Sequence, residues 1–214
     1  MTRLRTLAVV ALALLATPSA PAQAAPPASG FCGVASQNLK VGSWATYRVT
    51  DRQGQATNMR FAALPGKPVN GVEHVWVEMS MEIAPGARMV TQVLVPGFPY
   101  ESGAIKEMVM QSDPATPPMR MPTEMLTRMA AIGGPNPADV ACGAMQKVGT
   151  ETITVPAGTF ITDRYRNTKA GGESWVTSNG PNGIAFVKAA FATGTMELAA
   201  SGTGAVSSFT MAPQ

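Results

Sequence analysis

The chain has 214 residues, with 16 Lys and Arg against 13 Asp and Glu, 14 methionines, two cysteines and one histidine. Arg3 and Arg5 sit in a leader-like segment, and the remainder carries fourteen basic and thirteen acidic side chains. A surface that near neutrality excludes the clustered phosphate contacts of nucleic-acid binding, and one histidine with two distant cysteines excludes Cys-x-x-Cys redox chemistry and Cys/His metal sites of ordinary spacing.

Arg3 and Arg5 precede an apolar run from Leu7 to Ala16, followed by Pro18, Pro21 and Ala22-Gln23-Ala24. This is the pattern of a secretory signal peptide over residues 1–25, cut after Ala24 or Ala25. The run is about half the roughly 20 apolar residues that a membrane span requires. Phe31 directly before Cys32 spoils a lipoprotein box, so a soluble periplasmic or secreted protein without a transmembrane span is expected. Residues 26–39 are rich in Pro, Ala and Ser and read as a flexible N-terminus, and residues 40–214 read as a single β-rich domain. In an oxidising compartment the even cysteine count predicts a Cys32–Cys142 disulfide, closing a loop of roughly 110 residues.

Strands are predicted at about 40–51, 56–64, 72–84, 88–95 and 104–111. In the third, Val75, Val77, Met79, Met81 and Ile83 alternate with His74, Trp76, Glu78, Ser80 and Glu82, a period of two that predicts one dry face and one largely wet one. Pro114, Pro117, Pro118 and Pro122 then interrupt the sheet. A helix is expected over Thr123–Ile132, with proline before it and Gly133-Gly134 after it. Met121, Met125 and Met129 fall four apart in this insert, 119–132, and so short a helix must dock on the sheet to be stable. Strands resume near Lys147 and continue at about 158–168, 173–178, 184–192, 195–201 and 205–211, divided by Gly-containing turns. The fold class is therefore mainly β: a curved antiparallel sheet or half-open β-barrel of ten or eleven strands with one inserted helical segment.

Catalytic constellations are missing from the pattern. No Gly-x-Ser-x-Gly elbow, phosphate loop or metal signature occurs. His74 falls on the wet face without a nucleophile or orienting acid at useful spacing, and Ser80 between Glu78 and Glu82 reads as solvated. A non-catalytic protein without cofactor is expected.

Val155-Pro156-Ala157-Gly158-Thr159-Phe160, Trp175-Val176-Thr177-Ser178, Gly183-Ile184-Ala185-Phe186-Val187-Lys188 and Gly194-Thr195-Met196-Glu197-Leu198 form a pattern similar to one in uncharacterised exported bacterial proteins. Gly42-Ser43-Trp44-Ala45-Thr46-Tyr47 is similar to their opening strand. Such proteins resemble the LolA/LolB-like periplasmic lipoprotein carriers. The resemblance implies a curved sheet with a helical lid around an apolar, acyl-chain-binding cavity, and it does not extend to 112–145.

Three methionine pairs, Met79/Met81, Met108/Met110 and Met119/Met121, have Met-x-Met spacing, which places both thioethers of a strand on one face. Methionine is an adaptable filler of cores and of surfaces that accept varied apolar partners, and its thioether is also a soft ligand suited to Cu(I). Met79, Met81, Met121, Met125 and Met129 are the candidate lining of an apolar site. Arg164 and Arg166, on one face of their strand, are candidates for an anionic rim, with a solvated outer face paired with neighbouring Asp163 or with Glu173 across the hairpin as the plainer role. Two functions follow: a carrier for a lipid or lipoprotein acyl chain, or a barrel filled by its own side chains that serves a structural or protein-interaction role. Met-based Cu(I) binding is a smaller third.

Overall fold

The computed structural model describes residues 40–84, 86–97, 104–132, 144–169 and 171–210. The predicted leader, the 26–39 segment and both cysteines, with the disulfide expected between them, lie outside the described residues.

Thirteen strands and one α-helix are described: β1 (Trp44–Asp51), β2 (Ala56–Leu64), β3 (Pro68–Val69), β4 (Val72–Glu73), β5 (Val75–Ala84), β6 (Ala87–Val95), β7 (Glu107–Gln111), β8 (Met119–Arg120), α1 (Thr123–Ile132), β9 (Met145–Val155), β10 (Gly158–Asn167), β11 (Glu173–Val176), β12 (Phe186–Phe191) and β13 (Gly194–Gly202). Eleven of the strands form one antiparallel sheet in the order β8-β7-β6-β5-β2-β1-β13-β12-β11-β10-β9, and β3 and β4 make a separate two-stranded hairpin. Asn70 and Gly71 both have positive φ in that hairpin's turn, a conformation that Asn-Gly supplies at little steric cost. The expected mainly β architecture of about eleven strands with one short helix is the observed one, and the sheet is curved without closing.

The curvature comes from the C-terminal half. The backbone N–H of Ala157, in the β9–β10 turn, donates to the Leu198 carbonyl at 3.0 Å, which folds this hairpin back over β13. Ile153, Val155, Ala157 and Phe160 thereby join Ala45, Tyr47, Phe61, Ile184, Val187 and Leu198 in one apolar core. Tyr47 is its hub: its ring meets Phe61 and Phe186 edge-on at 5.8 Å each, and its hydroxyl donates to the Phe186 carbonyl at 3.0 Å. Burial raises the Tyr47 phenol above its ordinary range. The face of β1 and β2 that bears Ala45, Tyr47 and Phe61 is thus the inside of the bend. A smaller cluster of Val75, Val77, Val93, Val95, Ile105 and Met108 continues it toward β7.

Two expectations are corrected. Residues 205–210 form no strand; they run as an irregular strap that begins where the Ala205 N–H donates to the Gly42 carbonyl at 2.8 Å and crosses the outer face of the sheet. The polar side of β5 is also not the wet one. Glu78 is 0% exposed, Ser80 6% and His74 5%, whereas Ile83 on the supposedly dry side is 54% exposed. The strap explains the inversion at Glu78, because it supplies the hydrogen bonds that water would otherwise give. His74 is likewise not solvated: its Nδ1 lies 2.8 Å from the Val72 carbonyl, and its buried Nε2 has no partner among the described residues.

Candidate functional site

The inner face between β1 and β8 can be read directly from the strand register, since directly opposed residues of an antiparallel pair share a face. One row runs Tyr47, Met59, Met81, Met89. The next runs Ala45, Phe61, Met79, Thr91, Met110, Met119. A third runs Ala63, Val77, Val93, Met108. Seven methionines from five strands therefore share one sheet face. Six are half-buried, and Met119 on the edge strand β8 is 73% exposed. No acidic or basic side chain interrupts these rows.

The helical insert stands next to them. The Met121 N–H donates to the Met108 carbonyl at 2.8 Å, carrying β8 into α1, which contacts β7. Pro122 opens the helix and its carbonyl receives the N–H groups of Met125 and Leu126. Met121 is half-buried and Met125 is 53% exposed; the side chain of Met129 lies outside the described residues. The structure thus brings the expected Met79 and Met81 together with Met110 and with Met59 and Met89, the last two of which sequence spacing did not single out. Only Met110 carried a signal, its Met-x-Met partner Met108.

The outer face of the same half is a buried polar track. The Glu78 carboxylate accepts from Arg60 Nη1 at 3.0 Å, Gln92 Nε2 at 2.7 Å, Ser207 Oγ at 3.1 Å and the Ser208 N–H at 2.9 Å. Further along, Arg88 donates to the Ser208 carbonyl at 2.8 Å, and Gln111 exchanges hydrogen bonds with Thr210 through Nε2 at 2.7 Å and Oε1 at 3.2 Å. Thr203, Val206, Ser207, Ser208 and Thr210 thus tie the tail to β1, β2, β5, β6 and β7. A shallow cavity of about 280 Å³ lined by Glu82, Gly86, Ala87, Arg88 and Pro114 lies beside this track.

Arg164 and Arg166 do share a face, and both are taken. Glu173 accepts from Arg164 Nε and Nη2 at 3.0 and 2.7 Å and from Arg166 Nη2 at 3.0 Å. Those two guanidiniums hold the Glu173 carboxyl below its ordinary range. Arg164 also lies over the Trp175 ring at 5.6 Å, with Lys188 over the same ring at 5.7 Å, and Trp175 Nε1 donates to Glu151 at 2.6 Å. The arginines are satisfied by the protein itself, the plainer of the two roles expected for them.

The chain matches no family model and no curated protein. Among solved structures it is similar to one from Bacteroides fragilis described as an exported protein with a YMCC-like fold, at 14% identity over 78% of this chain and 99% of that one, with a TM-score of 0.38. A similarity of that size bears on neither ligand nor activity.

Electrostatically the two faces of the β1–β8 half are opposites: the outer one is polar, internally satisfied and covered, the inner one apolar, uncharged and partly open. Among the described residues no helix is long and apolar enough to cross a membrane, and no group of three His, Cys, Asp or Glu side chains could hold a metal ion.

Proposed function

We propose that this is an exported, non-catalytic binding protein that receives an apolar chain, of the kind a lipid or lipoprotein acyl group presents, on the inner face between β2 and β8. The observation that carries this reading is the concentration of seven methionines in cross-strand rows on one face, none of them fully buried. An apolar face left partly open on a soluble protein is characteristically an interaction surface. Methionine suits it, because an unbranched thioether chain repacks around apolar partners of varied shape. The leader pattern supports export, and the resemblance to lipoprotein carriers agrees with an acyl chain as cargo. The β8–α1 segment, which contacts β7, is the element assigned to cover a bound chain.

The test is native mass spectrometry of the mature protein purified from the periplasm, lipid analysis of its organic extract, and titration with a fluorescent fatty acid. A stoichiometric co-purifying lipid or saturable uptake is expected. Met79→Glu and Met110→Glu, at half-buried positions, should weaken uptake by about tenfold or more, with circular dichroism checking that the fold persists. A protein that carries no lipid and takes up no fatty acid would instead be a self-filled sheet with an interaction role.

A further inference from the structure

The row Met59, Met81, Met89 differs from the rest of the inner face. Its three methionines occupy directly opposed positions on the adjacent strands β2, β5 and β6, and no other side chain intervenes. Neighbouring strands lie about 4.8 Å apart, and directly opposed side chains are in contact range. Met81, in the middle, therefore has a thioether on either side, each on a chain with three rotatable bonds that lets the sulfur swing toward a common point above it. Met79, two residues along β5 on the same face, is a further donor beside the row. In the next row Thr91 separates Met79 from Met110, so three contiguous thioethers occur in the first row and not there.

We infer that Met59, Met81 and Met89 form a site for a soft monovalent metal ion, Cu(I), on the inner face of the sheet. The chemistry of the donor set decides the class of ion. Neutral thioethers are soft ligands that select Cu(I) over the harder divalent ions, which want carboxylate, carbonyl or imidazole. No carboxylate or imidazole stands in the three inner-face rows to compete. All three methionines are half-buried, accessible to an entering ion yet partly shielded from water. A thioether carries no titratable proton, so binding here releases none, and the site keeps its affinity in acid where thiolate and imidazole sites lose theirs to protonation.

The experiment titrates the mature protein with Cu(I) under ascorbate against a chromophoric Cu(I) chelator at pH 7 and pH 5, for the wild type and for Met59→Leu/Met81→Leu/Met89→Leu. Ag(I) serves as a redox-inert probe of the methionine methyl resonances. Leucine preserves apolar volume, so the circular-dichroism spectrum and thermal melt of the triple variant should match the wild type while its Cu(I) affinity falls by about a hundredfold or more. About one Cu(I) per chain, held at both pH values and shifting the methyl signals of these three residues, is expected. No competition with the chelator, binding that survives the triple substitution, or binding present at pH 7 and lost at pH 5, as cysteine thiolates would give, each overturns the inference.

Discussion

Replacing Glu78 by glutamine should loosen the C-terminal strap. The carboxylate is 0% exposed and accepts from four donors: Arg60 Nη1, Gln92 Nε2, Ser207 Oγ and the Ser208 N–H. An amide of the same shape offers one oxygen in place of two and turns an NH₂ toward groups that are themselves donors. With the NH₂ in the place of Oε2, Gln92 Nε2 loses its acceptor; with it in the place of Oε1, Arg60 Nη1 loses its own; the Ser208 N–H keeps one oxygen either way, and a buried group left unsatisfied costs about 1–3 kcal/mol. Arg60 keeps some access to water, with 23% of its side chain exposed, and adds less. The expected loss is about 1–3 kcal/mol for Glu78→Gln. Glu78→Ala should cost about 3–5 kcal/mol, the usual penalty for removing one partner of a buried pair. Ser208→Ala keeps the backbone N–H and should cost under about 1 kcal/mol. Urea unfolding followed by tryptophan fluorescence gives the stabilities. Chymotrypsin with intact mass measurement reports the strap, through the rate of cleavage after Phe209. Glu78→Gln within about 0.5 kcal/mol of wild type, with unchanged cleavage, would refute the reading that this carboxylate anchors the tail.

Gly194, the first residue of β13, has φ +152°, and a Cβ there would stand 2.1 Å from the Thr50 carbonyl oxygen. Gly194→Ala should therefore cost about 2 kcal/mol or more in a thermal melt, and a melt unchanged from wild type would contradict that contact. Arg164 and Arg166 depress the Glu173 carboxyl, so their stabilising contribution is fully present above the ordinary carboxylate range and is lost as pH falls through the depressed folded value. A carboxyl titration by NMR should show Glu173 with a midpoint below that of glutamate in a blocked peptide, and Glu173→Gln should flatten the acid limb of the stability profile. Burial raises the Tyr47 phenol, so its contribution holds below the ordinary tyrosine range and is lost at higher pH; ultraviolet titration should find this tyrosine ionising only as the protein unfolds in alkali. Mild peroxide should oxidise Met119 first, as the 73% exposed member of the inner face, then its half-buried neighbours, and the resulting sulfoxides should abolish fatty-acid uptake without unfolding the protein, as peptide mapping beside circular dichroism would show.

Periodicity placed most strands and the Thr123–Ile132 helix correctly, because alternation, glycine turns and proline breaks are local signals. What it could not give was exposure. Glu78 and Gln92 look solvated in any local window, and they are buried because a segment more than a hundred residues later crosses them. That segment, 205–210, reads as a strand from its composition; its hydrogen bonds go instead to side chains of the sheet it crosses. The inner face was legible in part. Met79 and Met81 declare themselves by Met-x-Met spacing, but Met59 and Met89 are solitary in sequence and become their neighbours only through the register of β2 and β6 on β5. Arg164 and Arg166 share a face as their spacing implies, and of the two partners it offers the structure selects Glu173, while Asp163 pairs with Lys147.

The central strand β1 lies between β2 and β13, pairing Trp44 with Ala62 on one side and with Gly202 on the other. A chain threaded outward from its N-terminus can assemble β1 to β8 by local hairpins and then β9 to β12 by more of them, but the two halves share no seam until β13 arrives. Pairings so distant in sequence are slow to form. Until β13 is seated the chain is two unjoined half-sheets, with one flank of β1 unpaired and the Glu78 carboxylate without its tail. That arrangement, more than the finished structure, leaves a bare strand edge on which copies of a chain of this topology can aggregate.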